Sequence, residues 1–234
     1  MKHYHATPLT TDVMNEIRLR ILDKEKALAR QIYNEGIIAK NSFMLLMNSL
    51  DELYDHDGSY LLDNRKSIFN FCNRTFIFES MQKIPYIGSW VSFYFKERIG
   101  FVYDLGRGFI ILQKEDLKLI DELKNSNMLK EEQSVVLPTL RQEVQNNIDA
   151  MDAVLGKLAQ DFPKAYKHAL TRKAIRMLLC NERRTIRQLQ TDGMLSDKDA
   201  EQLLEKVDER NDKLNSLRHT IPASIIRWML HPKK

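Results

Sequence analysis

The stretch Arg30-Gln31-Ile32-Tyr33-Asn34-Glu35-Gly36-Ile37-Ile38 returns 157 residues later as Arg187-Gln188-Leu189-Gln190-Thr191-Asp192-Gly193-Met194-Leu195. The same offset pairs Leu22 with Leu179, Glu25 with Glu182, and Asp51-Glu52 with Asp208-Glu209. In each copy a glycine follows apolar residues at helical spacing, and glycine enters the left-handed conformation that ends a helix without the steric cost of a Cβ. Gly36 and Gly193 are therefore predicted helix-ending residues, with Ile37 folded back on Ile32 and Met194 on Leu189. Past the second glycine, Ser196 with Asp199 three positions on reads as an N-cap. The returning segments keep one apolar stripe each: Phe43, Leu46, Met47 and Leu50 in the first, Ala200, Leu203, Leu204 and Val207 in the second. Two αα-hairpins follow, at about 12–55 and 163–219. The repeated glycine is architectural in this reading, not a ligand contact.

Between the hairpins, Asp55-His56-Asp57-Gly58 marks a turn and 61–81 reads as an aromatic-rich helix with Phe69, Phe76 and Ile77 inside. The break Ile84-Pro85-Tyr86-Ile87-Gly88 precedes Ser89, an N-cap for a long helix through Trp90, Phe93 and Tyr94 to about Leu123. Gly100 and Gly108 inside that helix each cost about 1 kcal/mol relative to alanine, which suggests a kink or, the favoured reading, close approach of a neighbouring helix. A polar linker at 125–133 leads to a helix over 136–158 with Pro138 near its start. Asp161-Phe162-Pro163 then resets the chain, with Pro163 in the first turn of the second hairpin. A short C-terminal helix is expected at about 222–230. No composition shift divides these elements. The predicted fold is all-α, an elongated multi-helix bundle built around two αα-hairpins related by an internal repeat, with residues 1–234 as a single helical domain.

Composition agrees. Hydrophobic residues make up 43% of the 234, enough for a packed core, while only eight glycines and six prolines favour long helices over turn-rich sheets. The most apolar region, 84–112, is interrupted by Lys96, Glu97, Arg98, Asp104 and Arg107, so it falls short of the roughly 20 uninterrupted apolar residues of a bilayer span. The start Met1-Lys2-His3-Tyr4-His5 lacks a signal-peptide core and neither end carries a lipidation box, so a cytosolic location is expected. Cys72 and Cys180 sit far apart in helical context and read as two reduced thiols.

The local signatures of catalysis are missing. There is no Cys-x-x-Cys, no His-Glu-x-x-His and no Glu-x-x-His, and Gly106-Arg107-Gly108 follows no strand and is too short to be a dinucleotide fingerprint. Asp55-His56-Asp57 could offer metal ligands, but adjacent residues rarely face one centre and Asp and Gly are ordinary turn residues. His168 has no matching nucleophile. No catalytic, cofactor-binding or metal-ligating residue is therefore assigned, and the chain is not read as an enzyme.

One surface carries a charge signal. Lys164, Lys167, Arg172, Lys173, Arg176, Arg183, Arg184 and Arg187 are opposed within their helix only by Glu182. Their candidate partners are the anionic inner leaflet, an acidic neighbouring domain or nucleic acid, against a plainer reading in which acidic residues of the adjacent 197–212 segment balance them. A net charge of +4 is too mild to require nucleic acid, which is the least favoured of these.

The order of motifs brings a resemblance. Arg18-Leu19-Arg20, Asn34-Glu35-Gly36-Ile37-Ile38 and Met47-Asn48-Ser49-Leu50-Asp51-Glu52 are followed by Met81-Gln82-Lys83-Ile84-Pro85, then Tyr94-Phe95-Lys96-Glu97-Arg98. Phe162-Pro163, Leu170-Thr171-Arg172 and Arg218-His219-Thr220-Ile221-Pro222 complete the series. This succession resembles the segment after the membrane domain in sodium/proton antiporters of the plant salt-overly-sensitive type and their bacterial relatives. The resemblance covers most of the chain. It implies a cytosolic helical domain that forms and regulates a homodimer, between the antiporter membrane domain and a cyclic-nucleotide-binding-like domain. Neither the membrane helices with their transport carboxylates nor a β-roll occurs here, so the expectation is an excised fragment or a free-standing relative. A free-standing helical scaffold or adaptor, and after it a nucleic-acid-binding helical protein, are the alternatives.

Overall fold

Seven helices and no strand make up residues 8–77, 88–125 and 131–216, the part of the chain that the computed structural model describes. They are α1 (Pro8–Asn34), α2 (Lys40–Tyr54), α3 (Lys66–Ile77), α4 (Gly88–Asn125), α5 (Glu131–Asp161), α6 (Pro163–Thr191) and α7 (Asp197–Ser216). The helix predicted at about 222–230, the segments 81–85 and 218–222, and the side chains of Phe76, Ile77, Ser89, Trp90, Phe93 and Tyr94 lie outside the described residues.

Both glycine turns take the predicted backbone. Gly36 and Gly193 have φ of 69° and 71°. The Ile37 amide donates to the Ile32 carbonyl and the Gly36 amide to that of Tyr33, both at 2.8 Å. The second turn repeats this, with Met194 to Leu189 at 2.8 Å and Gly193 to Gln190 at 3.1 Å, the paired bonds of a Schellman ending. Helix ends Asn34 and Thr191, and helix starts Lys40 and Asp197, keep the 157-residue offset. The side chains diverge. Ile37 packs on the main core, whereas Met194 is 74% exposed, so its predicted contact with Leu189 does not shelter it. The cause is what lies above each turn: a Cβ on Gly36 would come within 2.4 Å of Cys180 Sγ, whereas one on Gly193 would meet nothing within 4 Å. Leu203 is exposed for a similar reason, since α7 packs chiefly on α6 and a narrow stripe of Ala200, Leu204 and Val207 suffices.

Helix α4 is the axis of the molecule and touches α1, α2, α3, α5 and α6. A helix surrounded on all sides has no use for a polar face, and from Val102 to Gln113 only Arg107 is exposed. Its glycines divide between neighbours. A Cβ on Gly108 would lie 2.8 Å from Ile38 of the first hairpin, and one on Gly106 would lie 3.0 Å from Leu155 and Met151 of α5. The close approach predicted for Gly108 is therefore present, whereas Gly100 faces open space, and Gly106 is a second contact point. The main core gathers apolar side chains of α1 through α5 and reaches α6 at Ala169. A second, smaller core of Leu179, Ile186, Ala200 and Val207 holds α6 to α7.

Two boundaries move. Helix α3 starts at Lys66, not at 61, because Leu62 is held in the preceding turn by bonds described below. Helix α5 starts at Glu131, which leaves Pro138 inside it, past the first turn where proline is tolerated, so that it forfeits the backbone bond to the residue four positions back and its ring crowds that carbonyl.

Candidate functional site

Asp104 of α4 is the point where both hairpins meet the axis. Its Oδ2 accepts the Ala39 amide and the Ser42 hydroxyl, each at 2.8 Å, while Oδ1 accepts Lys173 Nζ at 3.1 Å and Arg176 Nη1 at 3.0 Å. Lys173 Nζ also donates to the Ile37 carbonyl. Ala39 is the N-cap residue of α2 and has no side-chain acceptor, so a carboxylate from another helix caps α2. At the matching place in α7, Ser196 accepts the Asp199 amide and donates back to its carboxylate at 2.7 Å, as predicted.

Burial alone would raise the Asp104 carboxyl; the Lys173 and Arg176 cations, the Ala39 amide and the Ser42 hydroxyl outweigh it and hold the group below the usual carboxylate range. Burial lowers the Lys173 ammonium, against the pull of Asp104, with Arg176 and Arg107 adding to the lowering. The carboxylate is thus held in its charged form between Lys173 and Arg176, an arrangement that fastens elements together.

The eight basic positions of α6 do not form one surface. Lys173 and Arg176 are each 8% exposed, which removes them from any anionic-surface contact: they point inward because Asp104 draws them there. Arg172 is half-buried and bonds Glu97 at 2.7 Å and the Leu214 carbonyl at 3.2 Å. Arg183 pairs with Asp208 of α7, and Arg184 with Glu35 of the first turn at 3.2 Å. Arg210 of α7 returns the exchange by bonding Glu182 at 2.6 Å. Lys164, Lys167 and Arg187 are exposed. The plainer reading, balance by the neighbouring acidic helix, accounts for Arg183.

A second buried network went unanticipated. Glu25 of α1 receives Arg65 and Gln113; Gln113 also donates to Asp116 at 3.1 Å and accepts Asn147 at 2.6 Å. Asn147 and Arg65 donate to the Leu62 carbonyl at 2.9 and 3.0 Å, and the Leu62 amide donates to Glu143 at 2.8 Å. Arg18 closes the chain on Glu143 and on the Gly58 carbonyl. Burial, and then the adjacent Glu25 carboxylate, push Asp116 well above the usual carboxylate range, against the weaker pull of Arg65 and Lys24. The signal in the sequence was polar residues at positions otherwise apolar: Asp104, Gln113 and Asp116 along the central helix.

Asp55-His56-Asp57-Gly58 is a packed turn. Asp57 and Gly58 have φ of 49° and 73°, buried Gly58 lies against the Asn15 backbone, and exposed His56 stacks on Tyr60 at 3.7 Å between ring centroids. Among the described residues no group of three or more His, Cys, Asp or Glu side chains could hold a metal ion. Cys72 and Cys180 are free thiols; burial pushes Cys72 up to about 12 in spite of Arg98. His168 is exposed on α6. Among the described residues no helix is long and apolar enough to cross a membrane. No model of a known protein family matches the chain.

Proposed function

We propose that this chain is a cytosolic regulatory and dimerisation domain of a sodium/proton antiporter, coupling cytosolic signals to exchange of monovalent cations for protons. The ordered succession of motifs from Arg18 to Pro222 carries the reading. The Asp104 cluster supports it in physical terms, since a domain that transmits position must resist deformation, and here one buried carboxylate ties α2, α4 and α6 together. Packed helices bias a two-state transporter only if they contact it differently in its two states, and a coupling of about 1–3 kcal/mol is enough. The reading assigns no catalytic step. Its proposed partners are the membrane domain and a cyclic-nucleotide-binding-like domain of a longer parent antiporter chain, and a second copy; exposed Lys164 and Lys167 suit contact with the inner leaflet. The decisive experiment deletes this segment from a full-length parent and measures sodium/proton exchange and its pH dependence. Unchanged assembly and regulation would refute the proposal.

A free-standing adaptor is the second reading, favoured by the row of Leu170, Met177 and Leu178 on α6, which are 47%, 50% and 68% exposed. The two readings separate on whether the upstream reading frame encodes a series of apolar helices.

A further inference from the structure

Arg65, Glu25 and Asp116 are each 1% exposed and meet where α1, α4 and the connection between α2 and α3 converge. Arg65 donates to Glu25, Gln113 Nε2 donates to Glu25 at 2.5 Å and to Asp116 at 3.1 Å, and the Asp116 carboxyl is itself hydrogen-bonded to Glu25. A hydrogen bond between two carboxyl groups needs a proton on one of them. The count of charges agrees: two carboxylates against one guanidinium would leave a net negative charge out of reach of water, and one proton cancels it. The neighbouring groups do not supply the missing positive charge. Half-buried Lys24 of α1 pulls on Asp116 more weakly than Arg65 does; on α5, Glu143 has Arg18 as its partner, and Asn147, which faces Gln113, is neutral.

Of the elements at this junction, the connection has the least hold of its own. Residues 55–65 lie outside any helix, and their inner end hangs on side chains: the Leu62 amide donates to Glu143, the Leu62 carbonyl accepts Arg65 and Asn147, and Arg65 is anchored by Glu25. Local opening is easiest there, since α1, α4 and α5 close their own backbone bonds. We propose that Glu25 and Asp116 form one proton-binding site that latches residues 62–65 to α1, α4 and α5, so that opening of this connection is coupled to release of one proton. The inference does not depend on the antiporter reading. Asp116, which burial and then Glu25 push well above the usual carboxylate range, is the protonated member. The closed form keeps a proton that the open form, with an ordinary carboxyl at 3.8, gives up. Opening should therefore increase about tenfold per pH unit between 3.8 and the raised value, and level off above it.

The test is amide hydrogen exchange of the full chain over a pH series, with the intrinsic pH dependence of exchange divided out. It is read at Leu62, Asn64 and Arg65, whose amides are all bonded in the closed connection. In the wild type their opening is expected to rise about tenfold per pH unit above 3.8. Asp116→Asn keeps the shape and cannot ionise, so its opening should not change with pH. Glu25→Gln leaves one carboxylate for one guanidinium and should likewise lose the pH dependence, which keeps a second variant in hand if Asp116→Asn does not fold. Infrared spectra over the same series should show the carbonyl stretch of a protonated carboxyl in the wild type above 3.8, and none in Asp116→Asn. A wild type with neither the protonated band nor the rise in opening would overturn the proposal, with no variant required. So would an equal rise in Asp116→Asn, or a rise shared by amides throughout the helices, which would mark general loosening by base.

Discussion

Replacing Asp104 by asparagine should separate a buried charge that is needed from one that is surplus. The substitution keeps the shape and one acceptor for the Ala39 amide or Ser42, but leaves Lys173 and Arg176 buried with no counter-charge. Removing one partner of a buried ion pair costs about 3–5 kcal/mol, so Asp104→Asn should fall in that range. For a chain of this size that corresponds to a fall in melting temperature of about 6–20 °C. Lys173→Met is the control. It leaves Asp104 and Arg176 as a balanced pair and sacrifices mainly the bond to the Ile37 carbonyl, at about 1–2 kcal/mol. Urea unfolding followed by circular dichroism measures both. The pH dependence supplies a further check. Because the folded Asp104 carboxyl titrates below its ordinary value of 3.8, its stabilisation is complete above that value and is lost as pH falls through the lowered one. Asp104→Asn should therefore flatten the acid limb of the stability profile. If Asp104→Asn lies within about 1 kcal/mol of wild type, or Lys173→Met costs as much, the reasoning about uncompensated charge is wrong.

Asp116 has the opposite sign: its stabilisation is complete below the ordinary value of 3.8 and declines as pH rises toward the raised one, so Asp116→Asn should remove a loss of stability that grows with pH above 3.8, seen in melts over a pH series. Glu25→Gln removes the direct partner of buried Arg65 but also the charge that raises Asp116, which is then free to ionise near Arg65, so in the same melts it should cost less than the about 3–5 kcal/mol of an unpaired buried charge. The two turn glycines form an internal comparison by urea titration: Gly193→Ala should cost about 1–2 kcal/mol for its left-handed backbone alone. Gly36→Ala should cost about 1–3 kcal/mol more, because its Cβ also meets Cys180. On the proposed dimerisation reading, with exposed Leu178 of α6 in the dimer face, Leu178→Lys should leave stability within about 0.5 kcal/mol while shifting the chain toward monomer in sedimentation velocity.

Period and punctuation made most of the fold legible. Gly36, Gly193, Ser196 and Pro163 act through their own backbone neighbourhoods, and a nine-residue window is enough to place them. What escaped was decided by partners distant in sequence. Lys173 and Arg176 look like surface cations until Asp104, about 70 residues earlier, is brought beside them. Met194 and Leu203 look like core residues until the second hairpin proves to have, among the described residues, no layer above it. Gly100 and Gly106 were indistinguishable by composition, and only the position of α5 tells them apart.

The borrowed cap of α2 bears on the order in which the chain can assemble. The later hairpin carries Ser196 within its own connection and has a small apolar seam of its own, so it can close from local information. The earlier hairpin, although synthesised first, has alanine at that place and waits for a carboxylate 65 residues downstream and for cations more than 130 residues downstream. Contacts so remote slow the search for the native arrangement, so the part made first should be among the last to become fixed.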